Sequence, residues 1–311
     1  MSAPPPSSAA GDCALPRPWS RAISGVQSDF RPKFDYTTSN RDPTIPPAMT
    51  QTDRAVTDTP TDPDAPDFPV REASCRVTAV EAVTHDTRIV RLSVQHGGPF
   101  EFAAGQYARV AFPGFDPRDY SIASRPGDRE LAFHIRNIGS GPSQFVATEL
   151  AEGDSVHVRG PFGHTYLRAS RPGPIVAVGG GSGLGQMAAI TEEALARGHR
   201  APVHLYFGAR GERDVYLEER MGLLVEQYPN FRFVPVLSEP TGPTDRRTGL
   251  VTDALLADAP DLSAAVGYLA GPPPMVEAAT KALTDLGVAA GDIHADAFIS
   301  EAQRKLRDGE I

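Results

Sequence analysis

The stretch Pro174-Ile175-Val176-Ala177-Val178-Gly179-Gly180-Gly181-Ser182-Gly183-Leu184-Gly185 reads as a short apolar strand running into a glycine-dense turn and then a helix. A continuous apolar run of this length suits a strand buried on both faces, as in a parallel sheet. Glycines at the turn let backbone N–H groups approach a pyrophosphate at the helix N-terminus. The rhythm continues downstream. Ile175–Val178 leads into a helix over Leu184–Arg197, Val203–Phe207 into Val215–Tyr228, Phe231–Leu237 into Leu250–Leu256, and Ala264–Leu269 into Pro274–Leu286. Repeated strand–helix units predict a parallel sheet with helices on both faces, with ligands bound beyond the carboxyl ends of its strands.

Upstream the rhythm differs. Cys75–Val80 and Thr87–Val94 alternate apolar with polar residues, and shorter runs follow at Gln106–Phe112, Tyr120–Ser124, Glu130–Asn137 and Ser155–Arg159. Gly, Pro and Asp punctuate them, which predicts an antiparallel barrel. One helix is expected there, from Ser143 through Leu150, with Ser143 as its N-cap. Residues 1–70 hold 13 of the chain's 30 prolines and only nine Leu, Ile, Val or Phe residues. Such a segment buries too little apolar surface to offset its ordering entropy, so it is expected to be a disordered tail. The organisation expected is thus residues 1–70 as tail, 71–170 as barrel and 171–311 as the α/β domain.

Composition bounds the function. A formal net charge of −9 argues against nucleic acid or anionic membrane as partners, and no apolar run has the length of a membrane span. The two cysteines, Cys13 and Cys75, leave no disulfide framework and fall short of the four ligands of a plant-type iron–sulfur cluster. They suit a reducing cytoplasm. The eight histidines are scattered, with no spacing that marks a metal site.

The run Arg118-Asp119-Tyr120-Ser121 places a cation, an aromatic face and a hydroxyl within four residues. On a strand Arg118 and Tyr120 share one face and Ser121 takes the other. A flavin needs such a set: a partner for its phosphate, a platform for its ring and a polar contact at its reactive nitrogen. Gly139-Ser140-Gly141-Pro142-Ser143 follows at a helix start, a second place to hold phosphate, and Arg136 lies just upstream as a further charge. In the α/β half, the standard G-x-G-x-x-G fingerprint is absent, but Ser182 offers a hydroxyl to a phosphate oxygen. Arg210, in Phe207-Gly208-Ala209-Arg210, stands where a conventional NAD site carries an acid. An Arg there accepts a 2′-phosphate, or else pairs with Glu212 or Asp214. Gly271-Pro272-Pro273-Pro274 follows a strand of the same sheet. It serves helix initiation and also stands as a wall of a nicotinamide pocket.

Taken together, these motifs resemble the ferredoxin–NADP⁺ reductase-like flavoproteins, and most of all the reductase components of bacterial aromatic-ring dioxygenases and monooxygenases. The resemblance spans roughly Cys75 to Ser300. It is carried by Arg118–Ser121, His134-Ile135-Arg136, Gly141-Pro142-Ser143, Gly160-Pro161-Phe162-Gly163, Gly179–Gly185, Phe207–Arg210, Tyr268–Pro272 and His294–Phe298. It implies that Arg118 contacts the flavin phosphate, Tyr120 lies along the isoalloxazine and Ser121 hydrogen-bonds the N5 region. It implies that His134, Ile135 and Arg136 border the FAD site and that Gly141, Pro142 and Ser143 bind its pyrophosphate. Gly180, Gly181, Ser182, Gly183, Gly271 and Pro272 would hold the nicotinamide dinucleotide, with Phe298 covering the flavin face. The family often has Cys where this chain has Ala270. Many relatives also carry a fused iron–sulfur domain, whereas this chain's N-terminal segment is poor in cysteine.

The expectation is therefore an FAD enzyme that oxidises NAD(P)H, NADH before NADPH, and passes electrons to a separate ferredoxin or oxygenase component. A reductase of free flavin and a non-catalytic interaction protein on the same fold are the alternatives.

Overall fold

The computed structural model describes residues 62–258 and 262–298. Most of the expected tail lies outside the described residues. The first six strands are β1 (Arg71–Ala82), β2 (Thr87–His96), β3 (Tyr107–Ala111), β4 (Arg118–Ser121), β5 (Leu131–Arg136) and β6 (Ser155–Phe162). They form one antiparallel sheet in the order β4-β3-β6-β1-β2-β5. A bridge from Ile122, just past β4, to Phe133 of β5 brings the two edges together, so the sheet curls into a nearly closed barrel. Closure removes the exposed edges an open sheet would leave.

The alternation that predicted the barrel holds at its core. Ala73, Cys75 and Val77 of β1 are buried, as are Val156 and Val158 of β6, while Arg76, His157 and Arg159 between them are exposed. The pattern breaks at a register shift between Val77 and Ala79, after which Val80, not Ala79, packs on the core. A bulge adds a residue to one strand and turns the following side chains to the other face. Burial pushes the Cys75 thiol up to about 11, so it stays protonated as a small apolar filler.

The single barrel helix, α1 (Gly141–Thr148), starts two residues earlier than the sequence suggests, with Ser140 and not Ser143 at the N-cap. Pro142 accounts for this, because proline is favoured in a first helical turn. Ser143 is buried instead. Its hydroxyl donates to the Ser140 carbonyl at 3.0 Å and accepts from the Ile138 N–H at 3.2 Å, which tightens the entry loop.

The second half carries β7 (Ile175–Gly180), α2 (Gly183–Ala196), β8 (Val203–Ala209), α3 (Glu218–Gln227), β9 (Phe231–Leu237), β10 (Arg247–Thr248), α4 (Val251–Asp258), β11 (Val266–Gly271), α5 (Pro273–Asp285) and β12 (Ile293–Ala297). Its strands lie parallel in the order β10-β9-β8-β7-β11-β12. The strand order reverses at β7, so its carboxyl end and that of neighbouring β11 flank the switch-point crevice where such folds bind ligands. Successive residues of β7 serve two cores. Ile175 and Ala177 pack under α2, and Val176 and Val178 pack under α4 and α5. Helix α2 is buried from Gly183 through Leu195. It has the sheet on one side and the barrel on the other.

Three elements of this half differ from expectation, one of them the two-residue strand β10, where no strand was expected. The expected helix over Val215–Tyr228 begins at Glu218, after a 3₁₀ turn over Glu212–Asp214. Strand β12 was not foreseen. Its five residues, Ile293-His294-Ala295-Asp296-Ala297, do alternate, but the run is short and two of its three apolar residues are alanines, which are poor strand formers.

The segment before β1 is tied to the connection between the domains. The Asp62 carboxylate accepts from the Tyr166 hydroxyl at 2.7 Å and pairs with Arg168 at 2.9 Å. Asp64 accepts from the Ser170 N–H at 3.0 Å and from its hydroxyl at 2.5 Å. Residues from Asp62 on thus contact the folded body, short of the boundary at residue 70. No helix among the described residues is long and apolar enough to cross a membrane.

Candidate functional site

Strand β4 sets Arg118, Tyr120 and Ser121 as the alternation requires. Tyr120 packs edge-on against Phe112, with ring centroids 5.9 Å apart, and burial pushes its hydroxyl up to about 12, so it stays protonated. Arg118, two residues before Tyr120 on the same strand, is near enough for its charge to oppose that rise. Ser121 faces the other way, across the domain seam. Its hydroxyl donates to Gln186 Oε1 at 3.0 Å, in the first turn of α2.

Gln186 is 1% exposed and its Nε2 donates to the Gly105 carbonyl at 2.7 Å. Asp296 of β12 joins this cluster. Burial raises its carboxyl, and hydrogen bonds from Gln186 and Ser121 oppose the rise. Neither Gln186 nor Asp296 was singled out from sequence. Asp296 stands inside the His294–Phe298 motif, which was its one signal, and Gln186 offered none beyond following Gly185. Phe298 is half-buried against the core beneath α2, and its N–H donates to the Gly271 carbonyl at 2.9 Å.

The second constellation is a cleft of about 310 Å³ at the carboxyl ends of β7, β8, β9 and β11. Gly180, Gly181, Arg210 and Pro272 line it together, with Arg136 entering from the barrel. Arg136 was expected to serve the loop at Gly141–Ser143. Its Nε instead donates to Asp86 Oδ2 at 2.7 Å, and its guanidinium lies beside Gly181. The Asp86 carboxyl is accordingly held low: the Arg136 and Thr84 hydrogen bonds and the Arg136 charge outweigh its burial, the largest single influence. Arg210 forms no ion pair with Glu212 or Asp214 among the described residues. Glu212 is taken by Thr244 and Arg246, and Asp214 by the Gly211 N–H and His85.

His134 and Ile135 do not reach this cleft with their side chains. Ile135 is in the barrel core. His134 is buried at the seam, and its Nδ1 meets the Tyr216 hydroxyl at 3.0 Å. Tyr216 in turn donates to the Gly181 carbonyl at 3.2 Å. A carbonyl only accepts, so the Tyr216 proton goes to Gly181, and His134 Nδ1 carries the proton of the other bond. Gly181 has φ +55°, the left-handed region that glycine occupies without strain. Gly185 is required for a different reason. A Cβ there would lie 2.5 Å from His134 Nδ1 and 2.9 Å from the Ala123 Cβ, so only glycine lets α2 approach the barrel.

The residues present fit the two dinucleotides. The N-caps of α1 and α2, Ser140 and Ser182, make no side-chain cap, so neither hydroxyl competes with a phosphate at its helix entrance, although at α2 the Leu184 and Gly185 N–H groups already donate to the Gly181 and Ser182 carbonyls. A Cβ on Gly141 would meet no atom within 4 Å, which leaves that approach open. Gly183 stands against the Ala270 carbonyl at the mouth of the second entrance. His85, Asp86 and Asp214 also come together across the seam, which sequence spacing does not reveal, but Arg136 already occupies Asp86.

Comparison with known proteins agrees with this division. Residues 74–166 match the family model of the oxidoreductase FAD-binding domain, and residues 177–281 match that of the oxidoreductase NAD-binding domain. The chain is 45% identical over 232 residues to the ferredoxin–NAD(P)⁺ reductase component of the naphthalene 1,2-dioxygenase/salicylate 5-hydroxylase systems of Ralstonia, covering 74% of this chain and 70% of that protein. It is 40% identical over 233 residues to the corresponding component of the naphthalene 1,2-dioxygenase system of Pseudomonas putida, with the same coverage of each. Among solved structures, the cytochrome P450 reductase of Amycolatopsis superposes with a TM-score of 0.70 at 38% identity, covering 74% of this chain and 70% of that one.

Proposed function

Since the chain belongs to the ferredoxin–NADP⁺ reductase-like flavoproteins, with the reductase components of oxygenase systems, we propose that it takes electrons from NAD(P)H through FAD to a separate ferredoxin or oxygenase component. When bound, FAD supplies the step from a two-electron donor to a one-electron acceptor. The observation that carries the reading is the convergence of both constellations on one seam. Ser121 of the barrel meets Gln186 and Asp296 of the α/β domain, and the cleft at Gly180 and Pro272 opens at the ends of the same strands.

The chain's own residues divide the work. Arg118 and the entrance to α1 at Gly141, Pro142 and Ser143 hold the flavin's phosphates, and Tyr120 and Ser121 orient its ring. Gly180 to Gly183, Gly271 and Pro272 hold the coenzyme, with Arg136 adding charge from the barrel. Phe298, tied by its backbone to Gly271, excludes water from the meeting point. Asp296 stands at that point with a raised carboxyl, placed to hold a proton beside Ser121. Arg210 sets the coenzyme choice: NADH serves, and the guanidinium, with no ion pair to Glu212 or Asp214 among the described residues, gives NADPH a foothold. The domain limits proposed are 71–170 and 171–311, with the segment from Asp62 strapped across their connection. A cytoplasmic location is part of the same reading, supported by two cysteines of which Cys75 is a buried thiol.

The test is to purify the protein, record its visible spectrum, and follow NADH and NADPH oxidation with ferricyanide, free flavin and a ferredoxin. A yellow protein whose cytochrome c reduction rises on adding ferredoxin supports the proposal. Stimulation by free FMN, with none from any ferredoxin, overturns it in favour of a flavin reductase.

A further inference from the structure

We propose that Gln186 is a positioning residue that fixes the direction of the Ser121 hydroxyl, leaving its lone pairs rather than its proton for the flavin. This rests on the reading of Ser121 as the flavin N5 contact. The orientation of the Gln186 amide follows from its surroundings. Gly105 presents a carbonyl 2.7 Å away, and a carbonyl cannot donate, so the nitrogen must point there and the oxygen to Ser121. Ser121 is then the donor of the 3.0 Å bond to Oε1. Asp296 of β12 lies near the same hydroxyl, but the hydrogen bond that the geometry gives Ser121 is the one to Gln186. With that bond made, Ser121 has no proton left to donate to the flavin.

Gln186 is itself engaged at both ends, with its nitrogen on Gly105 and its oxygen on Ser121. A buried amide held at both ends has no low-energy alternative orientation. It also joins two separate pieces of chain to α2: the loop before β3 and strand β4. A flavin N5 accepts hydrogen bonds in the oxidised ring and donates one in the reduced ring. A Ser121 committed as donor to Gln186 therefore pairs better with the reduced ring. With the proton released, Ser121 would pair equally well with the oxidised ring.

The experiment compares flavin midpoint potentials by dye equilibration, together with rates of flavin bleaching by NADH, in wild type, Gln186→Met, Ser121→Ala and the double variant. Methionine keeps the length of the side chain and removes the acceptor. Gln186→Met is expected to retain flavin, to shift the potential to more negative values and to bleach about tenfold more slowly, with little change in coenzyme KM. In the Ser121→Ala background the same substitution should leave the potential where Ser121→Ala put it. The proposal is overturned if Gln186→Met keeps the wild-type potential, or if its shift persists undiminished without Ser121. A second arm needs no flavin. Ser121→Ala strands Gln186 Oε1 in the flavin-free protein and should lower its Tm by a few degrees, whereas an unchanged Tm would show that the hydroxyl is not committed to Gln186. A wild-type protein that binds no flavin at all would instead overturn the functional reading on which this rests.

Discussion

Replacing Tyr216 with phenylalanine isolates a hydroxyl that links His134 of the barrel to the glycine turn at Gly181. The ring stays, with its edge-on contact to Phe207 at 5.7 Å and its tilted contact to His134 at 5.5 Å, so packing is preserved. Two hydrogen bonds are lost, at 3.0 Å to His134 Nδ1 and at 3.2 Å to the Gly181 carbonyl. They are not equivalent. Gly181 lines the cleft, where water can replace the hydroxyl, while the His134 donor is left buried without an acceptor. An orphaned buried donor costs about 1–3 kcal/mol and a rehydrated carbonyl little, so the loss is about 2 kcal/mol. For a folded body of this size that lowers Tm by about 4–8 °C. The turn at Gly181 also loses its anchor, and NAD⁺ and NADP⁺ should both bind about five- to tenfold more weakly. Differential scanning calorimetry and isothermal titration measure the two effects separately. A variant with wild-type Tm and wild-type affinity for both coenzymes would refute the link.

Three further outcomes follow from the same structure. Burial holds His134 down at about 3, so it is neutral when folded and takes up a proton on unfolding. Its stabilising share is complete above its ordinary value of about 6.5 and is lost as the pH falls toward 3, about 2 kcal/mol of it by pH 5. Denaturation midpoints measured between pH 7 and 5 should fall, and His134→Gln should flatten part of the slope; an unaltered slope would assign the acid sensitivity to other groups, such as His294, which burial holds at about 4. Arg210→Ala should reduce kcat/KM for NADPH about tenfold and for NADH far less, since one charge-assisted phosphate contact is lost; equal losses would mean that Arg210 serves a group common to both coenzymes. A chain beginning at residue 71 should melt a few degrees below one beginning at residue 62, because Asp62 and Asp64 no longer hold Tyr166, Arg168 and Ser170; identical melting would show that the strap adds nothing.

The two-part architecture was legible because both halves obey simple periodicities. Ile175–Val178 reads as a strand buried on both faces, and Val156 and Val158 between exposed His157 and Arg159 read as one buried on a single face. The errors have local causes. Pro142 moved the start of α1 ahead of Ser143, the bulge after Val77 turned Val80 inward, and β12 is a five-residue alternation built mostly on alanine, too short and weak to announce itself. The site was legible where a motif is contiguous, as at Arg118–Ser121 and Gly180–Gly183. It was not legible where the partners are far apart in sequence. Ser121 and Gln186 are 65 residues apart and His134 and Tyr216 are 82 apart, and only the docking of the two domains brings each pair together. Arg136 shows the same limit. Its neighbours in sequence did not reveal its partner, Asp86 on the adjacent hairpin, or its place at the lining of the cleft.

The central claim is that one flavin, held at the seam by Arg118, Tyr120 and Ser121, receives electrons from a coenzyme held at Gly180, Gly181 and Pro272. Anaerobic titration of the purified protein with NADH, followed by its visible spectrum, tests this most directly. The account predicts one FAD per chain, bleached by about one equivalent of NADH and recoloured when oxidised ferredoxin is added. A protein that carries no flavin after reconstitution with FAD, or a bound flavin that neither NADH nor NADPH bleaches, would contradict it.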